Sequence, residues 1–123
     1  MGTEPAPVTL SEIVHRAVQV CDPDGSEGLG DLLARFEDDD EPLSSTSAQI
    51  AEQRIAEEVG ALDPQDEDPA VTMAGAVATY LAYRRDEVGV DPVDILVLAA
   101  RAEFEGAPPE NVRAWLADRG IAV

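Results

Sequence analysis

The residues with the most chemical potential sit near the start of the chain: the only histidine, His15, follows Glu12 by three positions and precedes the only cysteine, Cys21, by six. On a helix, Glu12 and His15 share a side, and such a pair is the beginning of a metal or acid–base site. Zinc needs three or four ligands drawn largely from His and Cys, and this sequence supplies one of each. Apolar periodicity puts His15 on the polar side of its helix, so it reads as a solvated surface residue and no metal is expected.

Asp22, Asp24, Ser26, Glu27 and Asp31 gather oxygen ligands as a calcium loop would. Counted from Asp22, however, Glu27 falls where the sharp turn of an EF-hand needs glycine, and Leu33 falls where the bidentate Glu belongs. The segment therefore reads as a turn between helices whose aspartates cap backbone N–H groups.

Nucleophiles are equally thin. Cys21 has no surrounding motif, Ser44, Ser45 and Ser47 lie in a polar connection, and neither a nucleophile elbow nor a glycine-rich phosphate loop is present. Lysine chemistry is excluded because the chain has no lysine. With 26 acidic residues, carboxylate pairs are too numerous to mark a site, and nearly all fall in polar, like-charged stretches rather than in settings that tune a pKa. No catalytic residue and no cofactor is expected. The candidates that remain are interaction residues: Arg84 and Arg85, where a partner contact competes with plain charge compensation of a helix C-terminus, and Asn111, Arg113 and Trp115 near the end of the chain.

The elements that carry these residues follow from caps and apolar spacing. Thr9 and Glu12 form a capping box ahead of Leu10, Ile13, Val14, Ala17, Val18 and Cys21 at helical intervals. Leu29, Leu32, Leu33 and Phe36 mark a short second helix, ended by the acidic run 37–41. Thr46 and Gln49 offer a second capping pair, before Ala48, Ala51, Ile55, Val59 and Leu62 line a third. Asp68-Pro69 and Asp91-Pro92 each read as N-cap plus first helical residue, since the carboxylate accepts orphan N–H groups and proline has none to leave unpaired. The helix after Pro69 is apolar nearly all round from 70 to 83, which requires neighbours on every side. Ala74, Ala78 and Ala82, with Gly75 beside them, would let a neighbouring backbone come close. Val93, Leu96, Val97, Ala100 and Phe104 are expected to face inward from the next helix. Val112, Trp115 and Leu116 do so from the last, which Gly120 caps and after which Ile121 and Val123 return to the core.

The expected fold is all-α: a single compact bundle of five or six helices around a central apolar helix at about 69–88. Residues 1–8 are expected to be a flexible tail and 9–123 one helical domain, with a subdomain seam at 63–68. The start of the chain has neither the basic residues nor the apolar stretch of a signal peptide, and 70–83 falls short of a membrane span. A cytoplasmic location without a membrane partner is expected, and the lone cysteine agrees with a reducing compartment.

The net charge of −18 is unevenly held: residues 1–69 carry 18 acids and 3 arginines (−15), residues 70–123 carry 8 acids and 5 arginines (−3). An acidic, lysine-free surface of this kind fits a protein adapted to molar salt, where the Debye length falls to about 3 Å and carboxylate repulsion is tolerable. The function expected on these grounds is a non-enzymatic interaction or regulatory protein, acting through a protein partner or self-association. Two alternatives belong to other classes. One is a helix-turn-helix DNA-binding regulator using 95–121, in which Asn111 and Arg113 open the reading helix; Glu110 and Asp118 disfavour nucleic acid there. The other is an acidic decoy or inhibitor of a basic nucleic-acid-binding protein, in which 37–41 and 63–68 form one negative face. A carboxylate-dependent enzyme would need a concave pocket with buried acids. Salt adaptation predicts that helicity followed by circular dichroism grows from low salt towards several molar KCl. A chain fully helical at low salt would instead assign the acidic first half to binding.

Overall fold

The computed structural model describes residues 9–37, 48–65, 67–105 and 107–121. The expected tail at 1–8, most of the 37–41 run, the Thr46 cap and Val123 lie outside these residues. Six α-helices follow in order: α1 (Leu10–Cys21), α2 (Gly30–Ala34), α3 (Ala48–Leu62), α4 (Pro69–Tyr83), α5 (Pro92–Phe104) and α6 (Glu110–Ala117). Among the described residues there is no β-strand, only an isolated bridge residue at Thr9. The all-α bundle is thus the observed architecture, and α4 is its centre.

Three helices, α1, α4 and α5, begin where a side chain satisfies their free N–H groups. Thr9 Oγ1 accepts from the Glu12 N–H at 3.1 Å, Asp68 from Ala70 at 3.0 Å and Asp91 from Val93 at 3.0 Å, and Pro69 and Pro92 take the first helical positions of α4 and α5. Caps of this type are worth about 1 kcal/mol each. Asp63 extends the pattern into the α3–α4 connection, its two oxygens accepting the N–H groups of Glu67 (3.0 Å) and Asp68 (2.9 Å). α6 ends in a Schellman arrangement: Gly120, at φ +76°, donates to the Ala117 carbonyl, and Ile121 donates to the Leu116 carbonyl. Ile121 is thereby returned to the core, where it is buried.

Ten of the fifteen residues of α4 are buried, so no single apolar stripe decides its placement and helices must surround it. The three most extensive helix contacts are those of α4 with α1, α3 and α5, and α6 packs on it as well. α2 bridges α1 and α3 at the periphery. Ala74, Ala78 and Ala82 are all buried, as a close-approach stripe requires. Gly75 faces α3 so tightly that a Cβ there would lie 3.0 Å from Val59 Cγ2.

Two details differ from the sequence expectation. α4 stops at Tyr83 rather than near 88: Arg84 leaves helical geometry (φ −124°, ψ 62°) and residues Arg85–Glu87 form a separate 3-10 turn. The break is held by arginines on both sides: Arg85 donates to the Ala82 carbonyl at the end of α4, and the Arg16 guanidinium of α1 takes the Val88 and Val90 carbonyls of the connection that follows. The buried face of α5 is also rotated, to Ile95, Leu96, Ala99 and Ala100, while Val93 is 51 % exposed. α5 is apolar over most of its circumference, so contact with α4 and α1 chooses the face.

The Gly75–Val59 contact generates a measurable coupling. In a Val59→Ala background, Gly75→Ala should stabilise the protein by about 0.5–1 kcal/mol through helix propensity. In the wild type the same change should gain less or destabilise, because the stiff β-branched Val59 has to yield. Denaturant titration of the four proteins in this cycle tests it; strict additivity would mean that the close approach stores no strain.

Candidate functional site

The residues with chemical potential are placed apart from one another. His15 is exposed on α1 and, with Glu12, borders a cleft of about 420 Å³ between α1 and α2 that Glu37 also lines. No group of three or more His, Cys, Asp or Glu among the described residues is arranged to hold a metal ion. Cys21 is fully buried, and that burial raises the pKa of its thiol far above the ordinary value, so it stays protonated and a poor nucleophile. The aspartates after it act on backbone: Asp22, itself buried, accepts N–H groups from Glu27 (3.0 Å) and Leu29 (3.5 Å), and Asp24 accepts from both N–H and hydroxyl of Ser26. The Ser26 hydroxyl bond is the main cause lowering the Asp24 pKa.

The five interaction candidates do not form one patch with a common chemistry. Arg85 donates to the Ala82 carbonyl at 2.9 Å, closing the end of α4, and Arg84 lies 3.7 Å from Glu87. Asn111 and Arg113 are exposed on α6, on the same helix side as Glu110 and Asp118. Trp115 is buried, with the Arg119 guanidinium 3.5 Å above its ring. Its indole N–H is the one buried side-chain polar atom without a partner among the described residues.

Two structural arginines escaped the sequence reading. Arg16 ties α1 to the α4–α5 connection through Nε to the Val88 carbonyl (2.8 Å) and Nη2 to that of Val90 (2.9 Å). Arg119 joins α6 to the end of α1 and the loop beyond it, contacting the carbonyls of Trp115 (3.1 Å) and Cys21 (3.5 Å) and the carboxylate of Glu27 (2.8 Å). For Arg119 a signal existed, since a cation four residues after a tryptophan on a helix shares its side. For Arg16, 72 residues from its acceptor, there was none.

Two further, adjoining clefts lie elsewhere. α3 and α5 flank α4 without an extensive contact between them, which leaves one side of α4 as the floor of a groove. Two clefts of about 450 and 500 Å³ make it up, and they share Glu52, Ala76, Thr79 and Glu103. From Thr72 through Gly75, Ala76 and Thr79 the floor is small-residued, and it ends at Tyr80 and Tyr83. α3 contributes Ile55, Ala56 and Val59 to one wall, and α5 contributes Leu98, Ala102 and Phe104 to the other. Glu52 and Glu103 stand on opposite walls at the middle, both exposed. At the tyrosine end the Tyr83 hydroxyl donates to Glu52 at 2.7 Å and that of Tyr80 donates to Glu87. The bond to Glu52 raises the Tyr83 pKa; for Tyr80 burial leads, followed by the bond to Glu87. The groove-lining Thr72, Gly75, Ala76 and Thr79 do recur at helical spacing in the sequence, but only the separation of α3 from α5 opens that stripe.

No protein-family model, curated protein or solved structure matches the chain. What the coordinates define is an all-α bundle with a groove between two helices of its outer layer. No described helix is long and apolar enough to cross a membrane.

Replacing Arg119 by Ala should destabilise the bundle by about 1–3 kcal/mol, since hydrogen bonds from a charged donor and a ring contact are lost together. It should also shift the emission of Trp115, the only tryptophan. Arg119→Lys should recover little, because an ammonium cannot stack on the indole and reach three acceptors at once. Thermal unfolding followed by tryptophan fluorescence provides both readouts. Full rescue by lysine would reduce the role of Arg119 to a point charge.

Proposed function

We propose that this is a non-enzymatic interaction or regulatory protein of the cytoplasm, and that it works by binding another protein in the groove between α3 and α5. The observation that carries this reading is the groove itself. It runs along the central helix, mixes an aliphatic floor with polar rims, and is walled by two helices held in place by the core rather than by loops. Concave, mostly apolar surfaces with a few placed polar groups are where partners gain affinity, and an amphipathic segment laid into a groove is a recurrent recognition mode. Salt adaptation remains part of the proposal: it accounts for the carboxylate-rich surface outside the groove.

The DNA-reading alternative gains less support. Its reading helix would be α6, whose exposed side pairs Asn111 and Arg113 with Glu110 and Asp118, while the only large aromatic, Trp115, is buried. Phosphate contacts need an excess of cations that this side lacks. The decoy reading depends on 37–41 meeting 63–68, and most of the first segment lies outside the described residues.

A photo-crosslinking amino acid placed at Ala102, in the groove wall, is compared with one at Ala114, exposed on α6. In cells the first should give a discrete heterotypic adduct and the second should not. The captured protein, once purified, should bind the wild type and lose at least about tenfold in affinity for Ala102→Arg. Equal adducts at both positions, or unchanged affinity for the variant, would remove the groove as the interaction surface.

A further inference from the structure

We infer that the occupant of the groove is a cationic amphipathic helix of a partner protein, about three turns long, with an apolar ridge that meets the floor and Arg or Lys on both flanks. This rests on the groove being the interaction surface and adds the chemistry of what fills it.

Length comes from the floor. Between Thr72 and Tyr83 the axis of α4 advances about 16 Å at 1.5 Å per residue, the span of roughly three helical turns. The ridge comes from Ala76 and Thr79, the small floor residues common to both clefts, which leave depth for apolar side chains of an occupant, whereas Gly75 is already faced by Val59 of α3. The flanks come from charge. Glu52 on α3 and Glu103 on α5 border the same two floor residues, Ala76 and Thr79, from opposite sides, and Asp63 lies at the Thr72 end. Glu52 accepts one bond from Tyr83 and retains lone pairs for a further donor. Among the described residues the groove sets one cation against these three carboxylates, Arg84 at the tyrosine end, already turned towards Glu87.

The rest of the molecule argues for the same occupant. At contact distance, where salt screens least, a nucleic acid or an anionic membrane would set like charge against Glu52, Glu103 and Asp63. A second copy of the chain has few free cations to offer, since it carries eight arginines and no lysine, and Arg16, Arg35, Arg54, Arg84, Arg85 and Arg119 already contact other residues of the chain. A partner segment supplying the cations meets complementary charge on both walls at once.

The probe is a synthetic helix of about 15 residues with an aliphatic ridge and Arg on both flanks, together with a twin in which Glu replaces every Arg; binding is followed by fluorescence anisotropy at the lowest KCl concentration at which circular dichroism shows the wild type fully helical. The cationic peptide should bind and its twin should not. Ala102→Arg should weaken binding at least about tenfold, and Ala114→Arg, the same charge change on α6, less than about threefold. Circular dichroism of both variants confirms that each remains helical. Glu103→Gln, which leaves the shape of the wall nearly unchanged, should also weaken binding. If Ala102→Arg and Ala114→Arg weaken binding equally, the attraction is general to the acidic surface, and both the inference and the groove reading fail. If the twin binds instead, in a manner sensitive to Ala102→Arg, the groove stands and the cationic occupant is overturned. A cationic peptide that does not bind overturns it as well.

Discussion

Everything in this fold depends on the need to enclose α4. A helix of fifteen residues without a charged side chain between Pro69 and Tyr83 has no side suited to water, and leaving it exposed would forfeit the burial that drives folding. Its neighbours follow from this: α1, α3 and α5 each make an extensive contact with it, and α6 adds a fourth. Small residues set how close those neighbours come. With Gly75 against Val59 and alanines elsewhere on the helix, the bundle reaches interior packing with only five aromatic residues in the whole chain. Enclosure is nevertheless incomplete. α3 and α5 do not close over the side of α4 that carries Thr72 and Thr79, and these are the residues on that helix, besides its ends, that tolerate partial hydration.

A second constraint is the scarcity of cations, and the chain spends them on geometry. Arg16 holds two carbonyls of the α4–α5 connection, and Arg119 spans α6, the end of α1 and the Glu27 side chain. Arg35 pairs with Glu58, and Arg54 lies over the Phe36 ring, tying α2 to α3. A guanidinium suits such work because its planar fork presents several donors in fixed directions. The exposed ion pair Arg35–Glu58 adds little by itself. The contacts to backbone carbonyls matter more, because they fix the connections between helices, adding to the packing of Val88, Val90 and Leu29 on the core.

Much of the fold was legible because it is written in local chemistry. Thr9, Asp68-Pro69 and Asp91-Pro92 announce helix starts within three or four residues, and Gly120 announces a stop, since caps need no information about distant parts of the chain. The apolar circumference of 70–83 identified the central helix in the same way. What stayed hidden is non-local. The connection after α4 is held by Arg16 from 72 residues away, and the face of α5 depends on which neighbours it meets, because Val93, Leu96 and Val97 are as apolar as Ile95, Leu96 and Ala99. The groove was least legible of all. Its floor residues share a helical spacing, but whether a stripe of Thr, Gly and Ala is covered is decided by the distance between two helices that are about forty residues apart in sequence.

Acidity and groove recognition act over different ranges, which is why one surface can serve both. At molar salt the field of the 26 carboxylates is screened within a few ångströms, so it hydrates the protein without steering partners from afar. A carboxylate on a groove wall, partly shielded from solvent by an occupant, is screened less, and its pairing with an adjacent cation survives at contact distance. Specificity in such a protein therefore has to reside in shape first and in short-range charge second. A floor of small residues between two helices supplies the shape, and Glu52 and Glu103 on facing walls supply the charge only once a helix has been seated between them.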